Sequence, residues 1–138
     1  MKKRNLLSVI ILLIVSLNTF SQIGVTSYSI YSLGLNTSKD RKISGELKLF
    51  LNHTGVDDSF AELSAMYNFK PHTYHQFSIG LGVGGLGDGY LINSFTLPIQ
   101  LEIYPLQSFK RFSVVFEVAP TYSDEFHIRQ LWGIKYSF

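Results

Sequence analysis

Cysteine is absent from the 138-residue sequence, which excludes disulfide bonds, a lipid-anchored cysteine and thiol chemistry. Beyond residue 21 there is also no amphipathic pattern long enough for a credible helix. Nor is there an apolar run near the roughly 20 residues that a membrane-spanning helix needs. A short chain without disulfides or helices must obtain its stability from paired strands, so an all-β fold is expected.

Residues 1–21 have the layout of a secretory signal peptide. A basic segment at residues 2–4 precedes an apolar run over residues 6–15 and a short polar stretch over residues 16–21. Cleavage after the last of these is expected to leave residues 22–138 as a single domain. Three of the twelve basic residues lie in the signal segment, so the remainder has nine basic and ten acidic residues. This balance gives no argument for nucleic-acid binding.

Apolar and polar residues alternate in most of the remaining chain. This period of two predicts strands with one apolar face, separated by turn residues at intervals of about ten residues. Seven such segments are clear, at residues 31–36, 43–52, 61–69, 76–84, 95–103, 112–118 and 127–138.

The last of these segments carries a specific motif. Gly133, Tyr136 and Phe138 form a Gly-x-x-aromatic-x-Phe ending. It resembles the ending of bacterial outer-membrane β-barrel proteins, in particular the small eight-stranded barrels of the OmpA/OmpX type. The resemblance implies a transmembrane antiparallel up-and-down barrel in the outer membrane of a Gram-negative cell. It also implies that the terminal strand is an assembly signal read by the barrel assembly machinery, and that outer-membrane lipids and lipopolysaccharide surround the protein.

Barrels of this family have even strand numbers, so an eighth strand is expected within residues 22–29. This segment is short, and no Gly, Pro, Asn or Asp marks a turn near Ser29. The alternative is a seven-stranded sheet with the N-terminal segment inside the lumen. Pro98 lies in the middle of a predicted strand, where a bulge or a weak seam is expected.

The charged residues of the predicted strands share the face opposite to the apolar one. A Lys or Arg turned toward lipid costs about 2–4 kcal/mol at mid-bilayer, so these residues are predicted to point into the lumen. There they are expected to form a salt-bridged polar plug, with Gly80, Gly82 and Gly84 making room for Phe50 or Met66. On this assignment Leu49→Lys should block assembly, whereas Lys48→Leu should be tolerated. The predicted lumen residues are Glu46, Lys48, Glu62, Glu102, Glu117, Arg129 and Lys135.

The connections between the predicted strands alternate in charge. Basic connections are at residues 39–42, 70 and 110–111, and acidic ones are at residues 57–58, 88 and 124–125. In an up-and-down barrel, successive connections lie on opposite sides. The basic connections are therefore predicted to be periplasmic, on the side of the C-terminus, and the acidic ones extracellular.

The favoured function is a non-enzymatic envelope protein with a structural or interaction role, without cofactor or metal. The Gly-x-Gly-x-x-Gly spacing of residues 82–87 is not interpreted as a nucleotide site, because a loop and a strand follow it rather than a helix. The acidic connections lack the spacing of a calcium site and suggest only weak divalent bridging to lipopolysaccharide.

Two alternatives come from other classes of protein. One is an enzyme that modifies lipid A, as some small outer-membrane barrels do, with a His, a Ser and an acid at the outer rim. Its candidate residues are His53, Asp57, Ser59, Asp124, Glu125 and His127. The other alternative is an exported soluble β-barrel whose apolar face forms the interior and binds a small apolar ligand.

Overall fold

The structure is a computed structural model, and it describes residues 23–29, 31–37, 39–51, 60–85 and 92–138. The predicted signal peptide lies outside these residues. The described chain is built from antiparallel strands, and none of it forms a helix long and apolar enough to cross a membrane. The strands are β1 (Ile23–Tyr28), β2 (Ser32–Thr37), β3 (Ile43–Phe50), β4 (Phe60–Asn68), β5 (His75–Gly85), β6 (Ser94–Thr96), β7 (Ile99–Ile103), β8 (Phe112–Tyr122) and β9 (Phe126–Ser137).

The strands close into an eight-stranded up-and-down barrel. Each strand pairs antiparallel with its neighbours in sequence, and β6 and β7 are two halves of one crossing that lies between β5 and β8. β9 closes the barrel by pairing with β1, from Gly24 opposite Ser137 to Tyr28 opposite Gly133. The predicted all-β, antiparallel up-and-down barrel and the count of eight strands are therefore confirmed. The seven-stranded alternative is wrong, because residues 23–28 are part of the wall.

The turn of the first hairpin lacks the residues by which turns are usually predicted. β1 and β2 are joined through residues 29–31, and Tyr31 has a positive φ of 36°. Three-residue hairpin loops commonly end in a left-handed residue, a position that glycine or asparagine usually fills. A tyrosine takes it here, so the usual turn residues are missing from the sequence.

Pro98 interrupts the ladder between β6 and β7 without shifting the register. Both halves pair with β5 and β8 in one continuous register, so no bulge is present and that part of the prediction is wrong. Gly80 donates to the Pro98 carbonyl at 2.8 Å, and Leu97 donates to the Pro120 carbonyl at 2.9 Å. Neither proline can return a hydrogen bond, since a proline has no N–H. One donor is therefore missing on the β5 side of this crossing and one on its β8 side, and the weak seam stays a prediction.

The barrel is polar inside and apolar outside. Inward positions alternate with outward ones along the crossings, and the inward side chains are buried except at the acidic end of β9, where Arg129 is partly buried. Most of the largest fully buried side chains are charged or polar, whereas Leu63 is 60% exposed and Leu81 is 71% exposed. The predicted assignment of the two faces is confirmed.

Small residues allow this narrow interior to close. A Cβ added to Gly80 would overlap the Met66 sulfur and would lie 2.5 Å from the Ala65 carbonyl oxygen. Met66 itself is only 1% exposed and fills the space that Gly80 leaves. The predicted pairing of a glycine with Met66 is confirmed, and the nearest atoms at Gly80 and Gly82 do not include Phe50.

The two ends of the barrel differ in the charge of their connections. The basic end carries both Ile23 and Phe138 and the connections β2–β3, β4–β5 and β7–β8. The acidic end carries the turn between β1 and β2 and the connections β3–β4, β5–β6 and β8–β9. Basic and acidic connections thus lie at opposite ends, as predicted, although Asp57, Asp58 and Asp88 are outside the described residues.

Candidate functional site

The charged lumen is the main concentration of chemically active side chains in the described chain. Strand alternation turns each of the seven predicted lumen residues toward the barrel axis. Six of them are at most 3% exposed, and Arg129, nearer the acidic end, is partly buried. They form two clusters, the Lys48 cluster around the Lys48 ammonium and the Glu102 cluster around the Glu102 carboxylate.

The Lys48 cluster lies in the half of the lumen nearer the acidic end. The Lys48 ammonium is 2.6 Å from Glu117, 3.3 Å from Glu62 and 3.5 Å from Glu46. Arg129 reaches over from β9 to contact Glu62 at 2.8 Å and Glu117 at 3.4 Å. Three carboxylates therefore share two cations, and the cluster has a formal charge of −1.

Neutral side chains complete the hydrogen bonding of these carboxylates. The Tyr28 hydroxyl donates to Glu46 at 2.5 Å and the Asn36 amide donates to the same oxygen at 2.7 Å. The Gln100 amide nitrogen lies 2.6 Å from both Glu46 and Glu117. Because buried carboxylates are stable only when paired and hydrogen-bonded, these neutral donors are part of the site.

The Glu102 cluster lies near the basic end. Glu102 accepts from Lys39 at 3.0 Å and from Lys135 at 3.2 Å, both on the same carboxylate oxygen. Its other oxygen accepts the Ser113 hydroxyl at 2.6 Å. Lys39 also donates to the Gln100 carbonyl oxygen at 2.8 Å, which links the two clusters. One carboxylate here serves two ammonium groups, so this cluster has a formal charge of +1.

Lys39 is a functional residue that the sequence reasoning missed. It lies in the basic connection 39–42, outside the predicted strands, yet its side chain turns into the barrel and is 7% exposed. The available signal was the imbalance of four predicted lumen glutamates against three cations. With Lys39 included, four carboxylates face four cations and the lumen is neutral.

A small apolar core accompanies the charges. Tyr28, Val115 and Leu131 form a buried cluster inside the barrel, and Phe50 packs against it. The Arg129 guanidinium stacks over the Phe50 ring at 4.6 Å. The lumen is therefore filled by side chains of both kinds. The alternative of a soluble barrel with an apolar interior is wrong, because the apolar face is on the outside.

The C-terminal motif lies on the strand that closes the barrel. Gly133 faces inward, where an added Cβ would lie 2.9 Å from the Tyr28 ring and 2.6 Å from the Ser27 carbonyl oxygen. Tyr136 and Phe138 face outward with their rings edge to face at 5.1 Å. The Phe138 amide donates to the Ile23 carbonyl at 2.9 Å, so the motif is hydrogen-bonded to the first strand.

The residues considered for an enzymatic rim site are only partly described. His127 is the second residue of β9, at the acidic end of the barrel, and its side chain is exposed, as are those of Asp124 and Glu125. His53, Asp57 and Ser59 lie outside the described residues. Within the described chain, no group of three or more metal-ligating side chains is close enough to hold an ion. The structure thus brings together the lumen charges, and no contact is seen among the three described rim candidates, Asp124, Glu125 and His127.

Comparison with known proteins gives little sequence similarity. No protein-family model matches the chain, and no curated protein matches it. Among solved structures it is similar to the outer membrane protein Ail of Yersinia pestis, whose backbone structure was determined in a phospholipid bilayer nanodisc. The sequence identity is 12%, the TM-score is 0.46, and the match covers 85% of this chain and 97% of that chain.

Proposed function

We propose that the protein is a non-enzymatic integral protein of the outer membrane, with a structural or interaction role in the cell envelope. The observation that carries this proposal is the reversed polarity of a closed barrel. Four glutamates and four cations are inside, while large apolar side chains cover the outside. Such an outer surface fits a lipid solvent, because soluble proteins rarely expose large continuous apolar patches.

The outward residues support a lipid environment along the middle of the wall and at the level of the headgroups. Leu63, Leu81 and Trp132 are each more than half exposed along the wall of the barrel. At the basic end, aromatic rings gather in outward pairs, such as Tyr67 with Phe69 at 5.2 Å and Phe109 with Tyr136 at 6.2 Å. Rings of this kind are concentrated where a barrel meets the lipid headgroups.

The filled lumen supports a role other than general diffusion. The paired charges and the Tyr28 apolar core occupy the axis of a barrel in which eight strands leave room only for side chains. We infer that the protein conducts ions poorly and acts through its surfaces. Its immediate partners are then outer-membrane lipids and lipopolysaccharide, with the acidic end extracellular and the basic end periplasmic.

Export and assembly complete the proposal. Residues 1–21 direct secretion and are removed, and the barrel assembly machinery reads Gly133, Tyr136 and Phe138. Phe126 is the first residue of β9 and Phe138 directly follows its last one, and both side chains are 65% exposed. The two residues are therefore a matched pair for testing this signal. Phe138→Ala should reduce assembly in the outer membrane, whereas Phe126→Ala at the other end should not.

The decisive experiment is fractionation of the expressing cell, followed by gel electrophoresis of the membranes with and without boiling. Recovery in the outer membrane, with faster migration of the unboiled protein, supports a closed membrane barrel. Recovery as a soluble periplasmic or secreted protein overturns the proposal. An altered lipid A profile on deletion, restored by the wild-type protein but not by His127→Ala, would overturn the non-enzymatic part.

A further inference from the structure

The basic end of the barrel contains a cavity that the packed lumen does not fill. Its volume is about 490 Å³, and its lining includes the Glu102 cluster and residues of the β7–β8 connection. Its charged lining residues are Lys39, Asp40, Glu102, Lys110, Arg111 and Lys135. Counting these side chains, four cations face two carboxylates, so the cavity has an excess of positive charge.

The cations occupy two levels of the cavity. At its floor, Lys39 and Lys135 share a single oxygen of Glu102, at 3.0 and 3.2 Å. Among the described residues, that oxygen is the one hydrogen-bond acceptor of the Lys135 ammonium, which has three donors. At the mouth, Lys110 and Arg111 are exposed to solvent. Ammonium and guanidinium groups therefore border the same cavity at its floor and at its mouth.

We propose that this cavity is a binding site for a phosphate-bearing anion. Lys110 and Arg111 would contact the phosphate at the mouth, and Lys39 and Lys135 would attract it from the floor. Guanidinium and ammonium groups are the side chains that bind phosphate oxygens best, through charge-assisted hydrogen bonds. The half-open position of the cavity allows such contacts to be stronger than at a fully solvated surface.

Two sources can supply this chemistry. One is a small soluble phosphate ester or diphosphate that enters from the aqueous side. The other is a phospholipid headgroup, since the cavity wall includes Phe109 and Phe138, which belong to the outward aromatic residues of the same end. The proposal does not depend on which end faces the periplasm, so it can fail or stand separately from the proposed function.

The test uses the barrel folded in an uncharged detergent and titrated with inorganic pyrophosphate in a calorimeter. The site variant is Lys110→Gln with Arg111→Gln, which removes two exposed charges of the lining and should leave folding intact. The matched control is Lys42→Gln with Lys70→Gln, because it removes two exposed charges from the same end but outside the cavity. Affinity should fall about tenfold or more in the site variant and by far less in the control.

A second experiment distinguishes a soluble phosphate anion from a phospholipid headgroup. The same three proteins are reconstituted in nanodiscs that contain an anionic phospholipid, and lipid retained after extraction is measured by native mass spectrometry. Pyrophosphate binding that is lost only in the site variant supports a soluble anion. Retention of anionic lipid that is lost only in the site variant, without pyrophosphate binding, supports a headgroup. No binding of either probe, or equal loss in both double variants, overturns the proposal.

Discussion

Replacing Lys48 by methionine tests whether the charged lumen stabilises the barrel. Lys48 is fully buried and lies within 3.5 Å of three carboxylates. Without it, Glu46, Glu62 and Glu117 would have Arg129 as their one remaining cation in the cluster. Removing one partner of a buried ion pair costs about 3–5 kcal/mol, because the charge left behind is uncompensated. The expectation that Lys48→Leu is tolerated is revised accordingly, since an inward position protects a side chain from lipid but not from its neighbours.

The measurement is urea unfolding of the protein in lipid vesicles, monitored by tryptophan fluorescence. Trp132 is the single tryptophan of the sequence and lies on the outer wall, 57% exposed, so its emission reports removal from lipid. With a slope of about 2 kcal/mol per molar urea, Lys48→Met should lower the midpoint by about 2 M. Lys42→Met, at an exposed position in the β2–β3 connection, is the control and should change stability by less than about 0.5 kcal/mol.

A double variant identifies the cause. Glu117 is the closest partner of Lys48, at 2.6 Å. If the orphaned carboxylate produces the loss, Lys48→Met with Glu117→Gln should be more stable than Lys48→Met alone by about 1 kcal/mol or more. A wild-type midpoint for Lys48→Met, or a double variant that shows the plain sum of the two single losses, would refute this reasoning.

The remaining predictions concern the wall, the interior packing and the orientation. Leu49→Lys should prevent assembly and yield no fast-migrating unboiled band, because the lysine meets lipid at a cost of about 2–4 kcal/mol; normal assembly would contradict the assignment of the two faces. Gly80→Ala should destabilise the barrel by about 1–3 kcal/mol in the same urea assay through its overlap with Met66, whereas Gly45→Ala, whose added Cβ has no neighbour closer than 4.0 Å, should not. A lysine-specific protease added to intact cells should spare Lys42, Lys70 and Lys110 until the outer membrane is permeabilised, and cleavage before that would invert the orientation.

The sequence was sufficient for the features that depend on alternation. The direction of Glu46, Glu102 and Lys135 follows from their parity along a strand. The closed fold was an expectation from the resemblance of the last strand to those of outer-membrane barrels. Lys39 could not be placed in this way, because it lies in a connection, where parity has no meaning. Its inward turn depends on Glu102, a residue 63 positions later in the sequence.

The first hairpin and Pro98 show two further limits of predicting local structure from residue preferences. A turn at residues 29–31 is invisible to residue preferences when a tyrosine occupies the left-handed position. At Pro98, the preference for a bulge assumes that a lost hydrogen bond must be relieved locally. The structure instead retains the register, since the neighbouring pairs on both sides continue it and Leu97 and Gly80 still donate.

The sequence separation of the lumen ion pairs bears on the order in which the protein folds. Lys48 and Glu117 are 69 residues apart, and Arg129 and Glu62 are 67 apart, so the partners come from opposite halves of the chain. The β3–β4 hairpin alone holds Lys48 with two carboxylates, Glu46 and Glu62, so it would carry one uncompensated negative charge into the bilayer. The pairs of Lys48 with Glu117 and of Arg129 with Glu62 form only when the two halves of the chain meet. We expect insertion to be concerted with closure, and isolated N-terminal hairpins to be unable to enter the membrane on their own.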